Sequence, residues 1–166
     1  VGSLLALSFM LKIPTINGSI LVNPTIKYND EHNHSLEDFI SNYTFLNKLR
    51  LSYNSLAKLS SETNVTKSYA HDPLVNKKLT IGMYSSINKL INELKRMSYF
   101  ITRPILLQIG LEDEVVDLEK TRLFASSFDK KKISIHEYSD LGHEVFNEID
   151  RDKIFKDIYN WIHKNL

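Results

Sequence analysis

The 166-residue sequence contains no cysteine, which excludes a disulfide framework, a thiolate metal site and a cysteine nucleophile. It also lacks any run approaching the roughly 18 apolar residues that a membrane-spanning helix needs. The net charge is only +1, so the sequence gives no electrostatic reason to expect nucleic acid as a partner. The absence of cysteine fits a reducing, cytoplasmic location, and the length predicts one domain with a sizeable core.

In its last third, the sequence alternates between apolar strands and amphipathic helices. Strands are predicted from Ile105 to Ile109 and from Ile133 to Tyr138, with helices beginning after Asp117 and after Asp150. This alternation predicts a parallel sheet with right-handed crossovers. The active sites of such sheets lie beyond the carboxyl ends of the strands.

The first residues predict a further helix and strand of the same core. The segment from Ser3 to Leu11 is apolar nearly all round, which predicts a buried helix. Ile13-Pro14 should end this helix. A short buried strand follows as far as Val22, and Asn23-Pro24 should stop it.

The middle of the chain has a different character. The apolar residues between Ile81 and Met97 predict one face of a long helix. A helix start is predicted at Ser35, a loop from Ser60 to Lys67, and no strand. We therefore expect residues 1–24 to form a helix and a core strand, residues 25–97 a helical cap insertion, and residues 98–166 the C-terminal part of the core.

Two motifs follow the two C-terminal strands. Gly110-Leu111-Glu112-Asp113 follows the first strand, and Gly142-His143 follows the second. An Asp after one strand and a His after the next is the order of the last two members of a Ser-Asp-His triad in doubly wound hydrolases. Each motif alone is usually only a turn, but their order and placement together favour catalysis. Glu112 and Glu114 are alternative acids, although the strand register favours Asp113.

The nucleophile of such a triad should come first in the chain, on a sharp strand-to-helix turn. Val1-Gly2 resembles the last two positions of G-x-S-x-G, so the nucleophile is expected one residue before Val1. With no initiator methionine, the sequence is expected to start within a longer protein. The neighbours of Ser3 do not form this motif, so Ser3 is expected to be a helix residue.

Other polar residues point to catalysis less strongly. His32 and His34 form an i, i+2 pair in an Asn-rich loop, where a solvated loop is favoured over a metal site. Four further side chains are expected to anchor the cap or to face solvent: His71, Asp72, His136 and His163.

Together these features resemble the C-terminal two-thirds of an α/β-hydrolase of the monoacylglycerol lipase and lysophospholipase group, also called the serine aminopeptidase family. The resemblance rests on four segments: Val1-Gly2 with its apolar helix, His71-Asp72-Pro73-Leu74, residues 105–117, and residues 138–143. It implies the α/β-hydrolase fold, here the C-terminal part of a mostly parallel, doubly wound sheet with a helical cap insertion.

The same resemblance implies roles for three residues. Asp113 would be the triad acid, His143 the general base, and the Val1 N–H half of the oxyanion hole. The implied activity is cleavage of carboxylic esters through an acyl-serine intermediate. A monoacylglycerol or lysophospholipid is the favoured substrate, with no metal or organic cofactor and transient contact between the cap and a membrane surface.

Two groups of alternatives stay open. One is a short-chain carboxylesterase or a peptidase on the same fold, and the other is an inactive, hydrolase-like binding protein. Without the serine, this chain alone is expected to turn over no ester. It is also expected to expose a sheet edge that promotes association.

Overall fold

The structure, a computed structural model, describes residues 1–26, 48, 50–52, 59–76 and 78–166. The elements run in the order α1 (Gly2–Lys12), β1 (Ser19–Val22), β2 (Arg50–Ser52), α2 (Thr63–His71), β3 (Lys78–Thr80), α3 (Ile81–Met97), β4 (Ile105–Gly110), α4 (Leu118–Ala125), β5 (Ile133–Tyr138) and α5 (Arg151–Asn165). Single 3₁₀ turns occur at Ser98–Phe100 and Val145–Asn147. None of these helices combines the length and apolar composition that a bilayer crossing requires.

A parallel sheet with strand order β1-β4-β5 forms the centre of the described structure. The register pairs Ser19 with Ile105 and Ile105 with Ile133. All residues of β4 are buried, as expected for a strand with a neighbour on each side and helices on both faces. The predicted parallel sheet and its two C-terminal strands are confirmed, and β4 extends one residue further than predicted, to Gly110.

Helices cover the two faces of this sheet with different apolar clusters. Leu7 of α1, Ile91 of α3 and Phe124 of α4 pack in one cluster with Leu107 of β4. Tyr138 and Ile154 belong to a second, smaller cluster that includes α5. Because fully burying a Leu or Ile side chain contributes about 1.5–3 kcal/mol, these clusters hold the strands and their C-terminal loops in fixed positions.

Polar side chains cap the N-termini of α3 and α4. Asp117 caps α4 by accepting a hydrogen bond from the Lys120 N–H at 2.9 Å. Thr80 caps α3 by accepting from the Met83 N–H at 3.1 Å. Asp150 occupies the predicted position before α5, but within the described residues its side chain makes no capping hydrogen bond.

The prediction that residues 25–97 contain no strand is wrong. β2 and β3 form an antiparallel ribbon in which Arg50 pairs with Thr80. Each strand has three residues, which is too short to show an alternating pattern. The loop predicted from Ser60 to Lys67 is present only as far as residue 62, because α2 begins at Thr63.

Part of the sequence prediction lies outside the described residues. This concerns the helix start at Ser35 and the pair His32 and His34.

The predicted buried helix is present as α1, but only one of its sides is buried. Leu4, Leu7 and Met10 are buried, whereas the side chains of Leu5 and Phe9 are 47% and 53% exposed. The reason is that α1 contacts the sheet along one side only. β1 forms one edge of the described sheet, with β4 as its single neighbour there.

Candidate active site

His143 and Asp113 contact each other at the carboxyl end of the sheet. His143 Nδ1 lies 2.7 Å from Asp113 Oδ2, which confirms the predicted hydrogen-bond contact between the two side chains. The Asp113 side chain is fully buried and the His143 side chain is 20% exposed. Since a carboxylate accepts, Nδ1 donates the proton, and Nε2 is the ring nitrogen that can take another.

The turn after β4 fixes the Asp113 carboxylate. Its Oδ1 accepts from the N–H groups of Val115 at 2.7 Å and Val116 at 3.1 Å, leaving Oδ2 for His143. These bonds satisfy a polar group that is shielded from water. Glu112 and Glu114, the alternative acids, are exposed, which agrees with the register that favoured Asp113.

Backbone contacts join the loop that carries Asp113 to the loop that carries His143. The Glu112 N–H donates to the Leu141 carbonyl at 2.9 Å, and the Leu111 N–H donates to the Tyr138 carbonyl at 2.9 Å. The parallel pairing of β4 with β5 therefore continues into the two loops and brings the side chains together.

Asn23 connects β1 to both loops. It is buried, with a positive φ of 36°, a conformation that Asn tolerates better than most residues. Its Nδ2 donates to the carbonyls of Gly142 at 3.1 Å and His143 at 2.7 Å. Its Oδ1 accepts from the Gly110 N–H at 3.0 Å.

Glu148 is a second buried side chain that bonds to the His143 loop. Its side chain accepts from the Gly142 N–H at 3.1 Å and from the Ser61 N–H at 3.0 Å, and also from the Ser61 hydroxyl. Burial raises the pKa of Glu148, but these hydrogen bonds together outweigh it and hold the pKa below its ordinary value. A further hydrogen bond joins the segment at Ser61 to the His143 loop, because the Glu144 N–H donates to the Leu59 carbonyl at 2.8 Å.

The first turn of α1 lies against the end of β1. Ser3 is a helix residue, as predicted, and its hydroxyl donates to the Val22 carbonyl at 3.1 Å. Val22 is followed directly by Asn23, which bonds to the His143 loop. This chain of contacts brings the residues that begin α1, Val1 among them, to the sheet end that holds His143.

The remaining predicted positions make local contacts. Asp72 accepts from the Leu74 N–H at 2.8 Å, as in a turn. His136 Nδ1 lies 3.7 Å from Asp157. His71 and His163 are exposed and contact helix carbonyls of Lys67 and Tyr159 through Nδ1. Over the described ranges, no group of three or more His, Asp or Glu side chains could hold a metal ion.

Nothing in the sequence pattern marks Asn23 or Glu148 as a site residue. Asn23 stood out only as part of Asn23-Pro24, a signal for the end of a strand. Glu148 had no recognised pattern around it. A buried polar residue five positions after a candidate base is visible only once the loop is folded.

Comparisons of sequence and of structure both find hydrolases among the proteins similar to this chain. Residues 1–150 match the model of the family described as serine aminopeptidase, S33. The chain is 27% identical over 109 residues to a monoacylglycerol lipase of Mycolicibacterium smegmatis. It superposes on the crystal structure of the Paleococcus ferrophilus monoacylglycerol lipase with a TM-score of 0.84 at 21% identity. For a soluble variant of the Saccharomyces cerevisiae monoglyceride lipase in complex with a substrate analogue, the TM-score is 0.79 at 16% identity.

These matches cover most of this chain and part of each relative. The alignment with the Mycolicibacterium lipase covers 65% of this chain and 39% of that protein. The structural matches cover 99% of this chain and 65% and 62% of the two solved lipases. The structural similarity confirms the predicted α/β-hydrolase fold.

Proposed function

Because this chain belongs to the serine aminopeptidase S33 family, we propose that its protein is a serine hydrolase that cleaves carboxylic esters through an acyl-serine intermediate. The contact of 2.7 Å between His143 Nδ1 and the buried Asp113 carboxylate carries the proposal. An imidazole held in this way can act as a general base through Nε2.

In the first half of the reaction, a serine hydroxyl attacks the ester carbonyl. His143 Nε2 takes the serine proton as the new C–O bond forms. Asp113 orients the ring through Nδ1–H and stabilises the charged imidazolium. When the tetrahedral intermediate collapses, His143 gives the proton to the leaving alcohol and the acyl-serine remains.

In the second half, water releases the acid. His143 takes a proton from the attacking water and returns it to the serine oxygen when the acyl bond breaks. Neither half of the proposed reaction uses a metal or an organic cofactor.

Two further parts of the machinery belong to this proposal. The nucleophile is a serine on the turn that leads into α1, directly before Val1. The Val1 N–H forms half of the oxyanion hole. The hydrogen bond from Ser3 to the end of β1 supports this placement, because it brings the beginning of α1 towards the His143 loop.

The favoured substrate is a monoacylglycerol or a lysophospholipid. Monoacylglycerol lipases are found among the relatives, and the yeast lipase was solved with a substrate analogue. In this proposal residues 25–97 form a cap that shapes an apolar acyl pocket and touches the lipid surface from which the substrate is drawn.

Hydrolysis assays of the full-length protein test this function. The substrates are a long-chain monoacylglycerol, a lysophosphatidylcholine, a short-chain nitrophenyl ester and an aminoacyl peptide. We expect the two lipids to be cleaved with the highest kcat/KM, and His143→Ala to abolish cleavage. Preference for the short ester or for the peptide would contradict the substrate class. Lipid binding without cleavage of any substrate would contradict the enzymatic proposal.

A further inference from the structure

Gly142, the residue before His143, is held through both its N–H and its carbonyl by buried polar side chains. The Asn23 amide donates hydrogen bonds to the carbonyls of Gly142 and His143, and the Glu148 carboxylate accepts one from the Gly142 N–H. Asn23 and Glu148 are 3% and 2% exposed. A loop residue whose N–H and C=O are both bound to fixed buried groups has little freedom to shift.

The Asn23 side chain also links the base loop to the acid loop. Its amide donates to the His143 loop, while its oxygen accepts from Gly110, where the strand that leads to Asp113 ends. One planar amide therefore sets the spacing between the two loops. An Asp or Leu at this position would be unable to donate to the two carbonyls.

Hydrogen bonds to Glu148 connect the same loop to the segment before α2. One of its oxygens accepts from both Gly142 and Ser61, and the other accepts from the Ser61 hydroxyl. Residues 59–61 lead directly into α2 (Thr63–His71). The position of His143 is thereby coupled to a segment within residues 25–97, the part of the chain proposed as the cap.

We propose that Asn23 and Glu148 are positioning residues that hold the His143 loop, Asn23 through its carbonyls and Glu148 through the Gly142 N–H, and so keep the imidazole in register with Asp113. This inference rests on the proposed function of His143 as the general base. The hydrogen bonds of both side chains to this loop go to its backbone and not to the imidazole. Their effect reaches the ring through the backbone of Gly142 and His143, whose displacement would lengthen the bond from Nδ1 to Asp113.

The first test is a measurement of the His143 ring that does not depend on turnover. In the full-length protein, NMR should show a slowly exchanging, low-field Nδ1 proton of His143, as expected for a buried bond of 2.7 Å. Asn23→Gly removes the clamp while tolerating the positive φ. Glu148→Leu keeps a similar side-chain size and removes the acceptors for both Gly142 and Ser61. We expect both variants to lose or shift the Nδ1 proton resonance.

The matched control is Ser98→Ala. Ser98 is also buried, and its hydroxyl donates to the Ser127 carbonyl at 2.8 Å, but it lies before the start of β4, at the opposite end of the strand from Gly110. This substitution should leave the Nδ1 proton resonance unchanged. If Asn23→Gly does not fold, Asn23→Asp supplies the same test, since it keeps the acceptor for Gly110 and loses both donations to the His143 loop.

The second readout is kinetic. Misplacement of a catalytic group by about 1 Å costs about 10²-fold in rate, so both variants should lower kcat by roughly 10- to 100-fold while KM changes little. A wild-type resonance and a wild-type kcat in both variants would overturn the proposal. An effect from only one variant would overturn the role proposed for the other residue. A wild-type protein that shows the low-field proton but cleaves nothing would contradict the proposed function while leaving the NMR test of the clamp valid.

Discussion

Gly110 approaches the Gly142 carbonyl so closely that a β-carbon on Gly110 would clash with it and with the Leu141 carbonyl. The end of β4 and the loop that carries His143 are therefore in direct backbone contact. Only a residue without a side chain permits this approach, because the atoms in the way belong to the backbone and cannot rotate aside. This contact limits how closely the acid loop and the base loop can approach each other.

Gly110→Ala should destabilise the fold and separate His143 from Asp113. Overpacking of this kind costs about 1–3 kcal/mol, and we expect the upper end because backbone must move. Gly142→Ala should cost less, because a β-carbon there would lie 3.0 Å from the Leu59 carbonyl oxygen and 3.3 Å from Glu148. Urea unfolding of both variants checks this order, and equal midpoints would contradict it.

Asp113→Asn should slow ester cleavage by about 10⁴-fold, the loss seen when a triad acid is replaced by its amide in another serine hydrolase. The physical reason is that the amide can donate to Nδ1, which favours the tautomer with the proton on Nε2. Single-turnover kinetics of the full-length protein measure the effect. Glu112→Gln and Glu114→Gln change the exposed neighbouring acids and should keep wild-type rates. A comparable loss in either would reassign the acid.

Glu148 should make the stability of the fold sensitive to acid. Hydrogen bonds hold its pKa in the folded state below the ordinary value, which is about 4.3 in an unfolded chain. Its contribution is therefore fully present above the ordinary pKa and is lost as the pH falls through the lowered one. Urea unfolding between pH 6 and pH 3, in about half-unit steps, should show a weaker pH dependence for Glu148→Gln than for wild type. Glu119→Gln, at an exposed position, should follow the wild-type curve.

Tyr138 should give a separate pH dependence in the alkaline range. Burial and a hydrogen bond to Asp157 raise its pKa to about 12, above the ordinary value of about 10. Stability from this group is therefore present below pH 10 and is lost as the pH rises towards 12. Phenolate absorbance should show a late-titrating tyrosine that is lost in Tyr138→Phe.

The same substitution should cost stability at neutral pH. The Tyr138 hydroxyl donates to Asp157 at 3.0 Å and accepts from Gln108 Nε2 at 3.1 Å. Tyr138→Phe leaves the buried Gln108 amide without this acceptor, which should cost about 1–3 kcal/mol. Tyr99→Phe, at a 77% exposed position, should change the free energy of unfolding by less than about 0.5 kcal/mol. Equal losses in the two variants would contradict this account.

Local periodicity made much of the fold predictable. β5 has its predicted bounds, and α3 runs from Ile81 to Met97 as the apolar spacing indicates, because each buries one regular face. The two motifs after β4 and β5 predicted the contact between Asp113 and His143, since neighbouring parallel strands end at the same sheet edge.

Contacts between residues far apart in the sequence, and the side of a helix that stays exposed, produce no local sequence pattern and could not be predicted. The β2–β3 ribbon depends on pairing between Arg50 and Thr80, and nothing local to either strand indicates the other. The same holds for Asn23, whose partner His143 lies 120 positions away. The apolar residues of α1 predicted a buried helix, but hydrophobicity alone does not say which side of a helix the sheet covers.

Labelling of the full-length protein with a fluorophosphonate, followed by peptide mapping, tests the central claim most directly. We predict one modified serine, on the turn directly before Val1, because only an alcohol served by the His143–Asp113 pair is nucleophilic enough to react. We also predict that His143→Ala abolishes the modification or slows it by several orders of magnitude. Labelling at another serine, or undiminished labelling without His143, would contradict the account.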